Sequence, residues 1–164
     1  MKRALTHYDS RGQVRMVNVT GKPATERTAM ARGFLRIGKE ALAKVRRLKT
    51  PKGNPFEIAR IAGIAAAKRT AELIPLCHPL LLTHIDVGTE LCQNGIEVTA
   101  RVTATGPTGV EMEALTATAV AALTLYDMCK ALDRNMEITD ICLLEKAGGR
   151  SGHYVRRRAR REQR

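Results

Sequence analysis

Asp127 and Lys130 have the types and the spacing of a paired acid and base. They follow thirteen uncharged residues, Ala114 to Tyr126, that are rich in alanine and leucine and therefore favour helix. Residues three apart on a helix share one face, with Cβ atoms about 5–6 Å apart. Burial of so apolar a helix would put the two charges at a core boundary, where shifted proton affinities are typical of catalytic sites. A helix-terminal ion pair without a function is the alternative.

A second helix is predicted upstream. Asn54 has the type of an N-cap, Pro55 suits the first helical position, and Glu57 stands three residues after the cap. The pattern predicts a helix over about 55–73, because Pro75 stops it. Apolar residues recur along it at helical spacing, namely Ile58, Ile61, Ala62, Ala65 and Ala66.

The remaining pattern predicts two extended runs, 80–91 and 96–105, joined as a hairpin at Gln93-Asn94-Gly95. The second run alternates apolar and polar residues, which is typical of a strand with one buried face. Further elements are predicted at 14–37 (strand), 40–48 (short helix), 110–132 (the apolar helix) and 137–144 (strand). Apart from the short helix, the order is strand, helix, strand, strand, helix, strand. This order predicts an α+β, ferredoxin-like βαββαβ fold, with an antiparallel sheet and helices on one face.

Length and charge limit the classes of function. The 164 residues fit one domain, predicted over 1–154, followed by a basic and disordered tail over 155–164. The formal net charge is +12, which favours an anionic partner such as a nucleotide or phosphate. Nucleic acid fits less well, because the chain has no tryptophan, two phenylalanines and three tyrosines, too few for base stacking.

The four cysteines, Cys77, Cys92, Cys129 and Cys142, form no C-x-x-C pair, so reduced and mostly buried thiols are expected. Cys77 and His78 are neighbours and point to opposite faces of an extended chain, which disfavours a shared metal. We expect no metal site and no cofactor.

Apolar runs stay below the about 18–20 residues that a membrane span needs, so a cytoplasmic protein without a membrane partner is expected.

Four long segments of the chain share one recognisable pattern. They are Ala59-Arg60-Ile61-Ala62-Gly63-Ile64, Leu73-Ile74-Pro75-Leu76-Cys77-His78-Pro79-Leu80, Thr108-Gly109-Val110-Glu111-Met112-Glu113-Ala114-Leu115 and Tyr126-Asp127-Met128-Cys129-Lys130-Ala131. Together they resemble one family, that of molybdenum cofactor biosynthesis protein C, the cyclic pyranopterin monophosphate synthases. Shorter matches at 5–7, 16–17, 66–70 and 148–152 extend the resemblance to nearly the whole chain up to Tyr154.

The resemblance implies a ferredoxin-like subunit in a homohexamer, a trimer of dimers with active sites at subunit contacts. It also implies a lyase reaction on a GTP-derived substrate. That substrate is 3′,8-cyclo-7,8-dihydroguanosine 5′-triphosphate, which is rearranged to cyclic pyranopterin monophosphate while diphosphate leaves. No obligatory metal or other cofactor is implied.

The resemblance also assigns residues. The implied catalytic residues are Asp127, Lys130 and Lys52, and Glu113 would accept hydrogen bonds from the guanine-derived ring. The implied substrate-binding residues are Leu76, Cys77, His78, Met112, Glu113, Lys68 and Arg69. A triphosphate requires several cations, and the lysines, Arg69 and His78 could supply them. Each also has an ordinary structural explanation, since Lys68 and Arg69 would suit a helix C-terminus.

Three positions depart from the pattern of this family. Asn18 and Asn54 stand where aspartate is usual, and Arg150 replaces a common lysine. Asn54 can still cap a helix, whereas an acidic role at Asn18 is lost.

Two other functions compete with the synthase. A nucleic-acid-binding module predicts aromatic residues on the central strands, and 80–105 contain none; an inactive scaffold is disfavoured by the presence of Asp127, Lys130 and Lys52.

Overall fold

A computed structural model describes residues 7–9, 11–47, 53–149 and 152–157. The chain forms five strands and four helices. In chain order these are β1 Thr25–Arg36, α1 Lys39–Arg46, α2 Pro55–Lys68, α3 Thr70–Leu73, β2 Leu82–Leu91, β3 Gly95–Gly106, α4 Glu111–Cys129, β4 Glu137–Ala147 and β5 Tyr154–Val155.

All neighbouring strands pair antiparallel, in the order β2-β3-β1-β4-β5. With β5 left aside, the two central strands are the first and third of a βαββαβ unit, as in ferredoxin-like folds. The α+β fold class expected from the sequence is confirmed. Val155, the first residue of the predicted tail, pairs with Glu145 in the sheet. Residues 158–164 of the predicted tail lie outside the described residues.

The helices pack on one face of this sheet. In β3 the apolar positions 96, 98, 100, 102 and 104 are buried, while the polar positions between them are half-buried or exposed. The alternation in the sequence therefore identified the two faces correctly. On the polar face Arg32 forms an ion pair with Glu97, with 3.2 Å between Nη1 and Oε2.

Helices α2 and α4 approach each other through small residues. A Cβ added to Gly63 would lie 3.0 Å from the Ala117 carbonyl oxygen and 3.2 Å from the Ala121 Cβ. The fully buried residues of α2 are accordingly small, and two of its larger apolar side chains face outward: Ile58 is 43% exposed and Ile61 65% exposed. The apolar repeat predicted from the sequence thus lies partly on the outer surface of α2.

The helix predicted over 55–73 is interrupted. Asn54 caps α2 as expected, since its Oδ1 accepts hydrogen bonds from the amides of Phe56 and Glu57. The helix nevertheless ends at Lys68, and Arg69 separates it from α3. The buried Thr70 hydroxyl donates to the carbonyls of Ala66 and Ala67, which are the last acceptors of α2. This side-chain cap explains why the chain starts a new turn there.

The β2–β3 hairpin turns at Gln93-Asn94, and Cys92 N–H donates to the Gly95 carbonyl at 2.9 Å. Gly95 does not have a positive φ. Its role is close approach, because an added Cβ would lie against the Leu35 carbonyl oxygen and the Phe34 ring. The Asn-Gly signal predicted the right hairpin, but here glycine is needed for space rather than for backbone conformation.

Replacing Gly95 by alanine is expected to lower the free energy of unfolding by about 2–3 kcal/mol, because a backbone carbonyl cannot move aside as a side-chain end can. Gly88→Ala is the matched control, since its Cβ would meet only the Thr99 hydroxyl, at 3.2 Å. Urea unfolding at one protein concentration compares the two variants. Equal midpoints would contradict the steric argument.

Among the helices of the described part of the chain, none combines the length and the apolar character that crossing a membrane requires. The four cysteines are free thiols; Cys129 is buried and the other three are half-buried, so fewer of them are fully enclosed than the sequence suggested. Burial raises the pKa of Cys129 to about 11, so this thiol stays protonated at neutral pH.

Candidate active site

A cavity of about 280 Å³ opens at the N-terminal end of α4. The chain after α3 supplies Leu76, Cys77 and His78, and the first turn of α4 supplies Met112 and Glu113. Five of the residues expected to bind substrate therefore line one cavity. Two sequence segments that are more than thirty residues apart meet here, because the C-terminal end of the α2–α3 unit packs against α4.

Glu113 is the buried acid of this cavity, with 4% of its surface exposed. Burial raises the pKa of its carboxyl group, and the nearby Glu111 carboxylate adds to the rise, while the hydrogen bond from its own backbone N–H opposes it. The first turn of a helix suits a carboxylate, but this one is enclosed rather than solvated. A buried acceptor in a cavity wall is suited to binding the N–H groups of a ligand.

Cys77 lies beside this carboxylate. Burial raises the pKa of its thiol, and the negative charge of Glu113 raises it further. Both effects keep the sulfur protonated, so it is a poor nucleophile at neutral pH. A packing and binding role, as expected from the sequence, fits this environment better than covalent catalysis.

His78 is held by a contact with the N-terminal part of the chain. Its Nε2 lies 2.8 Å from the Val17 carbonyl oxygen. A carbonyl can only accept, so Nε2 carries a proton, and the nitrogen left for other partners is Nδ1. Val17 itself lines the cavity.

Asp127 and Lys130 lie at the opposite end of α4. Lys130 Nζ is 2.7 Å from Asp127 Oδ1, and both side chains are about half exposed, at 54% and 51%. The spacing in the sequence therefore predicted this ion pair correctly. Lys130 also lines a second cavity of about 360 Å³, with Tyr126, Ala131 and Arg134.

The two groups of residues are far apart within one chain. Glu113 and Lys130 are separated by seventeen residues of helix, which corresponds to about 25 Å at 1.5 Å per residue. The two side chains accordingly line two different cavities of this chain.

The remaining expected site residues have different positions. Lys68 ends α2 and Arg69 follows it, both exposed at the surface and outside the lining of the cavity at Glu113. This is the position that the structural explanation for two basic residues predicts, at a helix C-terminus. Lys52 lies outside the described residues, as does Arg150.

Eight further residues line this cavity without having been identified as site residues from the sequence, and two of them carry a ring or ammonium nitrogen. His7 and Lys22 face the same cavity as Cys77 and Glu113, from a segment without regular secondary structure. In the sequence, His7 stood out only as part of the short family match at 5–7. Asn18 belongs to the same region, and its Oδ1 accepts a hydrogen bond from the Thr20 amide at 2.9 Å. Asparagine performs this turn-forming role as well as aspartate does.

Residues 16–149 match the model of the MoaC family. A protein named cyclic pyranopterin monophosphate synthase from Heliobacterium modesticaldum is 54% identical over 154 residues, covering 93% of this chain and 97% of that protein. Proteins of the same name are 56% identical in Pelotomaculum thermopropionicum and 58% identical in Thermomicrobium roseum, covering 93% of this chain and 91% and 93% of those proteins. The chain belongs to the MoaC family.

Proposed function

We propose that this protein is a cyclic pyranopterin monophosphate synthase of molybdenum cofactor biosynthesis. The observation that carries the proposal is the shared name of relatives that are 54–58% identical over 93% of the chain. The substrate we propose is 3′,8-cyclo-7,8-dihydroguanosine 5′-triphosphate, which loses diphosphate as the cyclic phosphate forms. The lyase class and action in the cytoplasm are parts of the same proposal.

The cavity at the N-terminus of α4 is the proposed binding site for the guanine-derived ring. Glu113 would accept hydrogen bonds from the ring N–H groups, and Leu76, Cys77, His78 and Met112 would surround the ring. The enclosure of the Glu113 carboxylate supports this assignment, because hydrogen bonds to a buried charged acceptor are strong and directional.

Asp127, Lys130 and Lys52 are the proposed catalytic residues. The Asp127 carboxylate holds the Lys130 ammonium at 2.7 Å, a geometry that suits stabilisation of the negative charge on departing diphosphate. Proton transfer during ring opening and closure requires a positioned acid or base, for which Lys130 and Lys52 are the proposed groups. Lys68 and Arg69 are further candidates for binding the phosphates. They do not line the cavity of their own chain, so this role would require them to act at the cavity of a neighbouring subunit.

A second subunit is needed to complete this site. The distance of about 25 Å along α4 separates Glu113 from Lys130 in one chain. We propose the homohexamer that the family resemblance implies, a trimer of dimers with each active site formed between two subunits. The exposed Ile58 and Ile61 on the outer face of α2 would suit a subunit contact.

The first experiment is to incubate the purified protein with the cyclised dihydro-GTP and to measure diphosphate and pterin product together. Equal amounts of both products would support the proposal. A folded, oligomeric protein that yields neither would contradict it and favour an inactive relative. Boiled protein supplies the background of spontaneous decay.

Replacing Glu113 by glutamine is expected to weaken substrate binding about ten- to hundredfold, because a charged acceptor is lost while the shape is kept. The same variant should be more stable than the parent at pH 8. The raised pKa of Glu113 means that the folded state disfavours its ionised form, so stability falls as pH rises through that pKa. Glutamine removes this loss.

Isothermal titration with substrate measures the binding, and thermal unfolding at pH 4 and pH 8 measures the stability. The stability difference between the variant and the parent should be larger at pH 8. Glu57→Gln is the matched control, because it also removes a first-turn helix carboxylate, but one that is exposed and does not line the cavity. Unchanged affinity in Glu113→Gln would refute the ring-binding role.

A further inference from the structure

The walls of the cavity at the N-terminus of α4 differ in charge. The α4 wall carries the acidic side chains of Glu111 and Glu113, and the N-terminal wall carries the basic side chains of His7 and Lys22. A ligand with hydrogen-bond donors at one end and phosphates at the other would match this arrangement. The proposed substrate has this distribution of groups, so the inference below rests on the proposed function.

Residues 17–22 form the part of the N-terminal wall that carries Lys22. Within it, Asn18 Oδ1 accepts from the Thr20 amide, and the Lys22 amide donates to the Val19 carbonyl at 3.0 Å. These two bonds form a compact turn, which directs Val17, Val19 and Lys22 to the cavity. The turn belongs to no helix or sheet, so contacts with the rest of the protein must fix its position.

His78 supplies the key contact. Among hydrogen bonds between described residues, the one that joins residues 7–22 to the rest of the protein is His78 Nε2–H to the Val17 carbonyl, across 61 positions of sequence. Val17 is a half-buried residue, and losing the His78 donor would remove the hydrogen bond that its carbonyl accepts. Both the neutral Nε2–H tautomer and the imidazolium can donate this bond.

We propose that His78 is a positioning residue, which fastens residues 17–22 against the cavity so that the Lys22 ammonium binds the phosphate part of the substrate. The Nε2 of His78 is occupied by this structural bond. Its effect on phosphate binding is therefore exerted through Lys22, while Nδ1 stays available to the ring, and the loss of either residue raises KM more than it lowers kcat.

The test compares His78→Gln with His78→Asn. The glutamine amide nitrogen stands near the position of Nε2 and can donate to Val17, whereas the asparagine nitrogen stands near Nδ1 and is too short to do so. Hydrogen exchange of the Thr20 and Lys22 amides measures how firmly residues 17–22 are held in place, and it needs no substrate. In His78→Asn we expect these amides to exchange at least about tenfold faster than in the parent protein. In His78→Gln their exchange rate should stay close to that of the parent protein.

Kinetics supply the second arm. Lys22→Met should raise KM about tenfold or more through the loss of a charge-assisted contact, with amide exchange unchanged. His78→Asn should raise KM similarly, and His78→Gln should restore much of the loss. The double variant His78→Asn with Lys22→Met should be no more than about threefold worse than either single variant, because both changes remove the same contact.

Three results would overturn the inference: equal exchange in the glutamine and asparagine variants, multiplicative KM effects in the double variant, or a KM unchanged by Lys22→Met. Calorimetric titration with inorganic triphosphate separates these failures from failure of the proposed function. If the parent protein binds triphosphate through Lys22 but makes no product, the synthase proposal fails and this inference stands. If the parent protein is an active synthase and Lys22→Met binds triphosphate normally, only the inference fails.

Discussion

Replacing Lys130 by alanine is expected to lower kcat about 10²–10⁴-fold while leaving the fold intact. The size of the loss is that of a missing acid, base or charge-stabilising group. The fold should survive because the ion pair with Asp127 is half exposed, and such pairs contribute about 0.5 kcal/mol or less. Diphosphate release under saturating substrate measures kcat, and circular dichroism with thermal unfolding measures the fold.

Two further variants serve as a control for the loss of a lysine and as a test of the partner of Lys130. Lys39→Ala removes another exposed lysine, at the start of α1, and should retain the activity of the parent protein. Asp127→Asn keeps the shape of the partner but removes the charge that holds the ammonium, so an intermediate loss is expected. A Lys130→Ala protein within threefold of the parent protein would exclude the residue from the chemistry.

Mixing two impaired variants is expected to restore part of the activity. If Glu113 and Lys130 of one active site come from different subunits, random hybrids of Glu113→Gln and Lys130→Ala contain sites with both residues intact. Half of the subunits supply an intact Glu113 and half supply an intact Lys130, so about one quarter of the sites should be fully active. At low substrate concentration the recovery would be about 2.5- to 25-fold over Glu113→Gln alone and at least about 25-fold over Lys130→Ala alone.

The hybrids are prepared by co-expression with two different tags and purified for both. Activity is measured at substrate concentrations well below KM, where the binding defect of Glu113→Gln is largest. Each variant re-associated with itself provides the background. Recovery to no more than the average of the two backgrounds would mean that both residues act within one subunit, which contradicts the 25 Å estimated for the helix between them.

Much of the architecture could be predicted because it follows from local sequence patterns. Asn54 and Pro55 determine the start of α2 through hydrogen bonds to residues two and three positions away. The alternation in β3 identifies its buried face from side-chain direction alone. The Asp127–Lys130 pair is also local, since helical geometry brings the two side chains together.

Other features depend on contacts that sequence spacing does not encode. The end of α2 at Lys68 results from a buried threonine hydroxyl that caps two carbonyls. The pairing of β5 with β4 involves two residues only, too few for a recognisable strand pattern.

The candidate site divides in the same way. Leu76, Cys77, His78, Met112 and Glu113 were expected together from the family resemblance, and they line one cavity. Lys22 was missed because the loop that carries it is placed by a histidine 61 positions from Val17. The distance between the cavity and Lys130 could not be predicted either. It follows from the number of residues in α4 only because this helix is unbroken over Glu111–Cys129.

Helix α4 is in effect a spacer of fixed length. One end carries Glu113 and the other carries Lys130, while Gly63 packs against Ala117 and Ala121 near its middle and prevents it from sliding. A single inserted residue in the second half would turn Lys130 by about 100° and shift it by about 1.5 Å. The hairpin turns can vary in length without such an effect, so an assembly with shared sites tolerates insertions in its loops and not in this helix.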